Sequence, residues 1–205
     1  MSHSPNLSGS RKESRTVDDE LRDQVRRLTD RAEIYDCMQR YARGIDRQDR
    51  ALLRSAYHDG AVDDHVGFVG EVDDFIDWAL GYHSRQTRYQ HYLLNHTVDI
   101  DGDEAHAETY YLFMGTDREP ANHMTISGGR YVDRLERRDG RWAIVDRVCL
   151  VEFINESQSM LTEEALAMVP GTRTPRHDAT DASYDRPLAA SRTVTDVVDQ
   201  ISAQT

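Results

Sequence analysis

The hydrophobic pattern of this chain changes period before its midpoint, and this change limits the folds that the chain can adopt. Before it, Ile34, Met38, Tyr41 and Ile45 recur at helical spacing, which predicts an amphipathic helix. The run EVDDFIDWALGYHSR predicts another helix, and a short helix in DRALLRSAYH and a short strand in DGAVDDHVG are expected between the two. Beyond this point the apolar residues alternate as they do in β-strands.

Four segments of the second half are typical of long strands. They are TRYQHYLLNHTVDI, EAHAETYYLFMGT, HMTISGGRYVDRLER and RWAIVDRVCLVEF. The connections are DGDE, a loop around Pro120 and RRDGR, and Asp-Gly between alternating segments favours a hairpin. Helices followed by a mostly antiparallel meander predict an α+β fold, in which the helices cover one face of a curved sheet.

The chain is expected to divide into a tail, one domain and an extension. Residues 1–17 are polar and rich in serine, which predicts a disordered tail. The domain is expected over 18–155, with a first helix capped by Asp30, since Glu33 completes a capping-box pattern; VDDELRDQVRRL is an alternative upstream extension of that helix. Residues 156–205 predict a partly ordered extension that packs on the domain or on a neighbouring subunit, with a weak helix or loose chain at its end.

The charge balance excludes several classes of partner. The formal net charge is −12, which argues against nucleic acid, because phosphate binding needs a basic stripe, and against an anionic membrane surface. A small hydrophobic substrate fits this balance better. The segment MSHSPNLSGSRKESR has no apolar core of a signal peptide, and no apolar run is long enough to span a membrane. We therefore expect neither export by that route nor a membrane span.

Metal and cofactor sites are not expected. Cys37 and Cys149 are isolated, so they predict neither a disulfide framework nor a zinc site, and a reducing cytoplasm is the simplest expectation. His91 and His96 are five residues apart on a predicted strand and face opposite sides, and DDHV lacks a known ligand spacing. No glycine-rich nucleotide-binding motif is present.

Two polar side chains occupy positions where their burial needs a reason. Arg147 is the single charge on an otherwise apolar face of its strand, so it needs a carboxylate or a substrate as partner, and a structural and a functional role are both open. His91 lies on a strand whose alternation leaves open which face is inner. Histidine is also the side chain best suited to move protons near neutral pH.

Three motifs then carry a resemblance to a known family. YARGIDRQD places an aspartate after a small and an aliphatic residue at a helix end, QHYLLN places a histidine four residues before an asparagine, and DGRWAIVDRV leads from a hairpin and a tryptophan to an arginine. With the order of elements, these motifs make residues from about 28 to 155 resemble the SnoaL-like branch of the nuclear-transport-factor-2-like superfamily. The resemblance is to its enzymes of the hexachlorocyclohexane dehydrochlorinase, scytalone dehydratase and bile acid 7α-dehydratase types.

The resemblance implies a cone-shaped, mostly antiparallel sheet closed by N-terminal helices, and it implies a site. Asp46 and His91 would form a catalytic dyad, Arg147 would line the same cavity, and Tyr41 matches a tyrosine of the bile acid dehydratase type. The remaining predicted pocket residues are Asn95, which follows the histidine in the motif, and four of the aromatic residues that could build an apolar pocket: Tyr57, Trp78, Tyr110 and Phe113.

The expected activity is that of a cofactor-independent, dehydratase-like lyase acting on a hydrophobic cyclic substrate such as a steroid or polyketide. In this reaction the Asp46–His91 dyad acts as general base. An isomerase or cyclase using the same dyad is one alternative, and a non-catalytic subunit that binds a small molecule or acts as a scaffold is another. A homo-oligomer is expected, with a trimer favoured and a dimer as the alternative.

Overall fold

The change of period separates a helical layer from a single sheet in the computed structural model, which describes residues 16–168 and 173–190. The helices are α1 (Val17–Asp46), α2 (Arg50–Arg54), α3 (Val72–His83) and α4 (Glu163–Ala167), with a 3₁₀ turn at Ala182–Tyr184. The strands are β1 (Tyr57–His65), β2 (Phe68–Glu71), β3 (Gln86–Asp101), β4 (Glu104–Asp117), β5 (His123–Arg138) and β6 (Arg141–Gln158). The predicted α+β class is confirmed.

The six strands form one curved, unclosed sheet in the order β2-β1-β6-β5-β4-β3. The strands β3 to β6 form the predicted meander of antiparallel hairpins. β1 is the exception, because it pairs with β6 in parallel and forms a hairpin with β2. The inner face of the sheet packs against α1 and α3, and this contact forms the hydrophobic core. No helix in 16–168 or 173–190 is long and apolar enough to cross a membrane.

The start of α1 differs from its prediction. Thr16 is the N-cap, and its side chain accepts a hydrogen bond of 3.2 Å from the backbone N–H of Asp19. Asp30 is not a cap but a buried mid-helix carboxylate, which accepts hydrogen bonds from Trp142 Nε1 at 2.9 Å and from Arg137 at 2.6 Å. The local capping pattern was therefore misleading, because tertiary partners satisfy this carboxylate instead. The predicted tail lies outside the described residues, except for Thr16 and Val17 at the helix start.

The described part of the predicted extension packs on its own domain. β6 continues to Gln158, and the segment 173–190 then reaches the end of α1. His177 stacks on Tyr89 with ring centroids 4.0 Å apart, and Arg43 lies 4.9 Å from the ring centroid of Tyr184. The predicted weak terminal helix falls in 191–205, outside the described residues.

A bulge in β3 explains why strict alternation did not settle its inner face. The pairing of β3 with β4 shifts register between Leu93 and His96. His91 and Leu93 therefore point inward before the shift, whereas His96 and Val98 do so after it. His96 forms a 2.8 Å hydrogen bond with Thr109, so it is a structural histidine of the sheet.

Gly44 allows α1 and α2 to approach closely just before Asp46. A Cβ atom at this position would lie 2.5 Å from the backbone nitrogen of Leu53, a contact that real Cβ atoms do not make. We predict that Gly44→Ala lowers the free energy of unfolding by about 1–3 kcal/mol, because the helices must separate. Urea unfolding measures the change.

Gly81→Ala is the matched control, since a Cβ atom added to this helical glycine of α3 would meet no other atom within 4 Å. It should be neutral or stabilise the protein by up to about 1 kcal/mol. Equal stability of the two variants would show that the approach of α2 does not depend on Gly44.

Candidate active site

Asp46 and His91 are joined by a short hydrogen bond. His91 Nδ1 lies 2.7 Å from Asp46 Oδ1, and the backbone N–H of His91 donates to Asp46 Oδ2 at 3.0 Å. The carboxylate therefore holds both the ring and the backbone of His91. With the Nδ1 proton directed at Asp46, the unprotonated nitrogen of a neutral ring is Nε2, to which no residue in the described ranges forms a hydrogen bond. This arrangement suits a general base.

Side chains from two other parts of the chain bind the carbonyl groups at the end of α1, beside the carboxylate of Asp46. The hydroxyl of Tyr89 donates to the carbonyl oxygen of Ile45 at 3.2 Å, and His177 Nδ1 donates to that of Asp46 at 2.7 Å. The last carbonyl groups of a helix have no partners within the helix, and these two donors add to the hydrogen bonds that the residues just after the helix make to both carbonyls. The segment that contains His177 thus contributes to positioning the dyad aspartate.

A cavity of about 190 Å³ lies between the helices and the inner face of the sheet, with His91 in its wall. Its aromatic lining residues are Tyr41, Phe75, Trp78, Tyr82, Tyr111, Phe113 and Tyr131. Three imidazoles, from His65, His83 and His91, also face it. A mostly aromatic wall with a few polar groups is typical of sites for small molecules.

The ring of Tyr41 lies in the cavity wall. Its ring lies 5.3 Å from that of Tyr131, and its buried hydroxyl has no hydrogen-bond partner in 16–168 or 173–190. Burial raises the pKa of Tyr41 well above its ordinary value, so the phenol stays protonated at neutral pH. The hydroxyl oxygen itself is buried beneath the wall, so the ring of Tyr41 forms the cavity surface.

Arg147 does not line the cavity, in contrast to the expectation. It is fully buried and paired with Asp133, with Nε 2.6 Å from Oδ1 and Nη2 2.9 Å from Oδ2. Its guanidinium lies beneath the rings of Tyr41 and Tyr131, at 4.0 and 4.3 Å from their centroids. The carboxylate partner that its position required is directly opposite on β5, so its place in the structure is that of a core ion pair.

Of the other predicted pocket residues, some line the cavity and some do not. Trp78 and Phe113 line the cavity. Tyr57 is buried behind it, and Asn95 and Tyr110 are exposed on the outside. The prediction of Tyr110 together with Phe113 was wrong, since residues an odd number apart on a regular strand face opposite sides, and Tyr111 occupies the inner position instead. Asn95 turns outward within the β3 bulge.

The sequence interpretation missed His83, which lies in the last turn of α3. Its ring lies 5.3 Å from that of His91, and its Nδ1 lies 2.9 Å from Gln86 Oε1. Burial, followed by the neighbouring charge of His91, lowers the pKa of His83 to about 3, so it is a neutral wall residue. The helical spacing from Phe75 through Ala79 to position 83 was the available signal.

A second histidine–carboxylate pair was also missed. Asp63 and His65 lie two residues apart on β1 and share a face, with His65 Nδ1 3.0 Å from Asp63 Oδ1. Period-2 alternation in DDHV could have revealed this, had the segment been treated as a buried strand. Within the described ranges no three His, Cys, Asp or Glu side chains cluster closely enough to hold a metal ion.

Solved structures share this architecture at low sequence identity. A hexachlorocyclohexane dehydrochlorinase (LinA) type 2 aligns with a TM-score of 0.63 and 21% identity over 73% of this chain and 99% of its own. The LinA-type3 dehydrochlorinase of Novosphingobium barchaimii gives 0.60 and 21% over 68% and 97%. A protein of Novosphingobium aromaticivorans, provisionally described as a scytalone dehydratase, gives 0.58 and 16% over 66% and 93%.

Comparison with curated protein sequences gives no significant match. The model of the SnoaL-like domain, however, matches residues 26–148. These residues include both members of the dyad and run from α1 into β6. The match covers more than half of the chain, and the chain therefore belongs to the SnoaL-like domain family, within the nuclear-transport-factor-2-like superfamily.

Proposed function

We propose that this protein is a cofactor-independent lyase that eliminates water or an acid from a hydrophobic cyclic substrate, such as a steroid or polyketide. The observation that carries the proposal is the 2.7 Å hydrogen bond between Asp46 and His91 at the wall of the aromatic cavity. A base held by a carboxylate and facing a largely apolar cavity is suited to removing a proton from carbon.

The chemistry assigns a role to each member of the dyad. Asp46 accepts the Nδ1 proton, fixes the tautomer of His91 and stabilises the imidazolium that forms when Nε2 takes a proton. The proton comes from a carbon next to an electron-withdrawing group, and the electron pair of the broken C–H bond forms a double bond as the adjacent leaving group departs. The ring of Tyr41 lines the cavity, and its buried hydroxyl would donate to an enolate-like oxygen by turning toward the cavity as charge develops on that oxygen.

The relatives support the class of reaction. Two of the similar structures are named dehydrochlorinases, so this fold can host eliminations. An isomerase or cyclase would use the same base without a leaving group. The mass of the product separates these two classes, because elimination releases water or acid, whereas isomerisation changes no mass. A non-catalytic binding subunit would give no product.

The test is a screen of cyclic alcohols, including hydroxysteroids, read by mass spectrometry with wild type and Asp46→Asn. We predict products lighter by one water with wild type, and turnover about 10²–10⁴-fold slower with Asp46→Asn, because an amide can leave the proton on the wrong ring nitrogen. Asp36→Asn, at an exposed position of the same helix, is the matched control. Undiminished turnover by Asp46→Asn would contradict the dyad.

The same proposal includes a homo-oligomer, with a trimer favoured, in the cytoplasm. The outer face of the sheet exposes apolar side chains, including Tyr110, Val132, Val148 and Leu150, and an oligomer would cover such a face. Two free, buried cysteines, Cys37 and Cys149, fit a reducing compartment.

A further inference from the structure

His65 faces the cavity that His91 also lines, but it comes from a distant part of the sheet. β1 and β3 are separated by β6, β5 and β4 in the strand order, so curvature of the sheet brings the two imidazoles to one cavity. Each imidazole uses Nδ1 to contact a carboxylate, Asp63 in one case and Asp46 in the other. Two histidine–aspartate pairs therefore each present an imidazole to the cavity.

The two pairs differ in the environment of the carboxylate. Asp63 is completely buried, and its second oxygen accepts a 2.6 Å hydrogen bond from the hydroxyl of Tyr57. A buried carboxylate needs a cationic partner to keep its charge. Arg147 lies opposite Asp63 on β6, but its guanidinium is hydrogen-bonded to Asp133. The side chain that is hydrogen-bonded to Asp63 and can carry a positive charge is therefore His65.

The aromatic wall also favours a cation at His65. The rings of Phe75, Trp78 and Tyr131 lie 5.3, 5.9 and 6.1 Å from its imidazole. Burial lowers the pKa of His65, but hydrogen bonds with Asp63 and Cys149, and the charges of these two groups, outweigh it and raise the pKa to about 9. The titratable and charged groups of the packed elements are Tyr41 on α1, Tyr57 and Asp63 on β1, His83 on α3, His91 on β3, Tyr111 on β4, Tyr131 and Asp133 on β5, and Arg147 and Cys149 on β6.

We propose that His65 is the general acid of the elimination and protonates the departing hydroxide while His91 removes the proton from carbon. This role rests on the proposed function. The C–H electron pair becomes the double bond, the C–O electron pair stays on oxygen, and oxygen takes the proton of His65 Nε2 to leave as water. His91 ends as imidazolium and His65 as neutral imidazole, and proton exchange with solvent restores both.

The first test needs no substrate. Long-range ¹H–¹⁵N spectra of the full wild-type chain, with the His65 ring signals assigned by through-bond correlation to its own backbone, report the protonation of each ring nitrogen. We expect both nitrogens of His65 to stay protonated at pH 7.5 and the ring to lose its proton near pH 9. Asp63→Asn should move this titration to lower pH, because it removes the charged partner. A neutral His65 at pH 7.5 would overturn the acid role.

The second test compares two leaving groups, with 3-hydroxycyclohexanone and 3-acetoxycyclohexanone as probes. Hydroxide needs a proton to depart and acetate does not, so His65→Gln should reduce kcat/KM about 10²–10⁴-fold on the alcohol and less than about tenfold on the acetate. His91→Ala should impair both reactions. His106→Gln, at an exposed position of β4, is the control.

The outcomes separate the two proposals. If wild type turns over both probes and His65→Gln loses the same factor of kcat/KM on both, or loses nothing, the acid role of His65 is overturned. The lyase function then stays in place. No wild-type turnover of either probe contradicts the proposed elimination, and the acid role fails with it. Circular dichroism of His65→Gln shows whether the variant is folded, and the wild-type spectra decide the protonation of His65 even when it is not.

Discussion

Replacing His91 by alanine should abolish turnover while the protein stays folded. Loss of a general base typically costs about 10²–10⁴-fold in rate, and water in the vacated space is a far weaker base than a carboxylate-bound imidazole. The fold should survive because Asp46 keeps its hydrogen bond with the backbone N–H of residue 91. The measurement is kcat/KM on a substrate from the screen, together with the circular dichroism spectrum.

His106→Ala is the control, since this histidine is exposed on β4 and remote from the cavity lining. Added imidazole provides a second check, because the free base can enter the space that the ring occupied and restore part of the rate. Full activity of His91→Ala would show that another group abstracts the proton, and the dyad assignment would be wrong.

Replacing Arg147 by methionine should cost about 3–5 kcal/mol of stability, the largest loss expected for a single substitution here. The side chains of Arg147 and Asp133 are both fully buried, so removing the cation leaves an uncompensated carboxylate in the core. Burial already raises the pKa of Asp133, and the charge of Arg147 opposes that rise. Urea unfolding at pH 7 measures the loss.

The double variant Arg147→Met, Asp133→Leu should recover much of this stability, because it removes both charges together. Arg130→Met is the matched control on β5: its partners Glu108 and Glu152 are partly exposed, so the expected loss is about 1 kcal/mol or less. If Arg147→Met unfolds like wild type but loses activity, Arg147 acts on the substrate, as its sequence position also allowed.

The local elements followed from the sequence, because their causes are local. Helical spacing predicted α1 and α3, and alternation with Asp-Gly turns predicted the hairpins of β3 to β6. The motifs that resemble those of the family predicted Asp46 at a helix end and His91 on a strand. Their hydrogen bond spans 45 positions of the sequence, and periodicity alone could not have paired them.

Other assignments failed where one residue of register decides the result. The bulge between Leu93 and His96 changes the inner face of β3 within the strand, and nothing in the alternation shows it. The choice of Tyr110 over Tyr111 was a one-residue error with the same consequence, since it exchanges a cavity side chain for an exposed one.

The sequence by itself determined the order of helices and strands and the α+β class, and it identified Asp46 and His91 as the candidate dyad. The tertiary structure alone decided the partners of the buried charges, pairing Arg147 with Asp133 and Asp30 with Arg137 and Trp142. The physical reason is that hydrophobic period is a property of a short segment. The neighbour of a buried charge depends on strand order, register and sheet curvature, which exist only once distant segments have packed together.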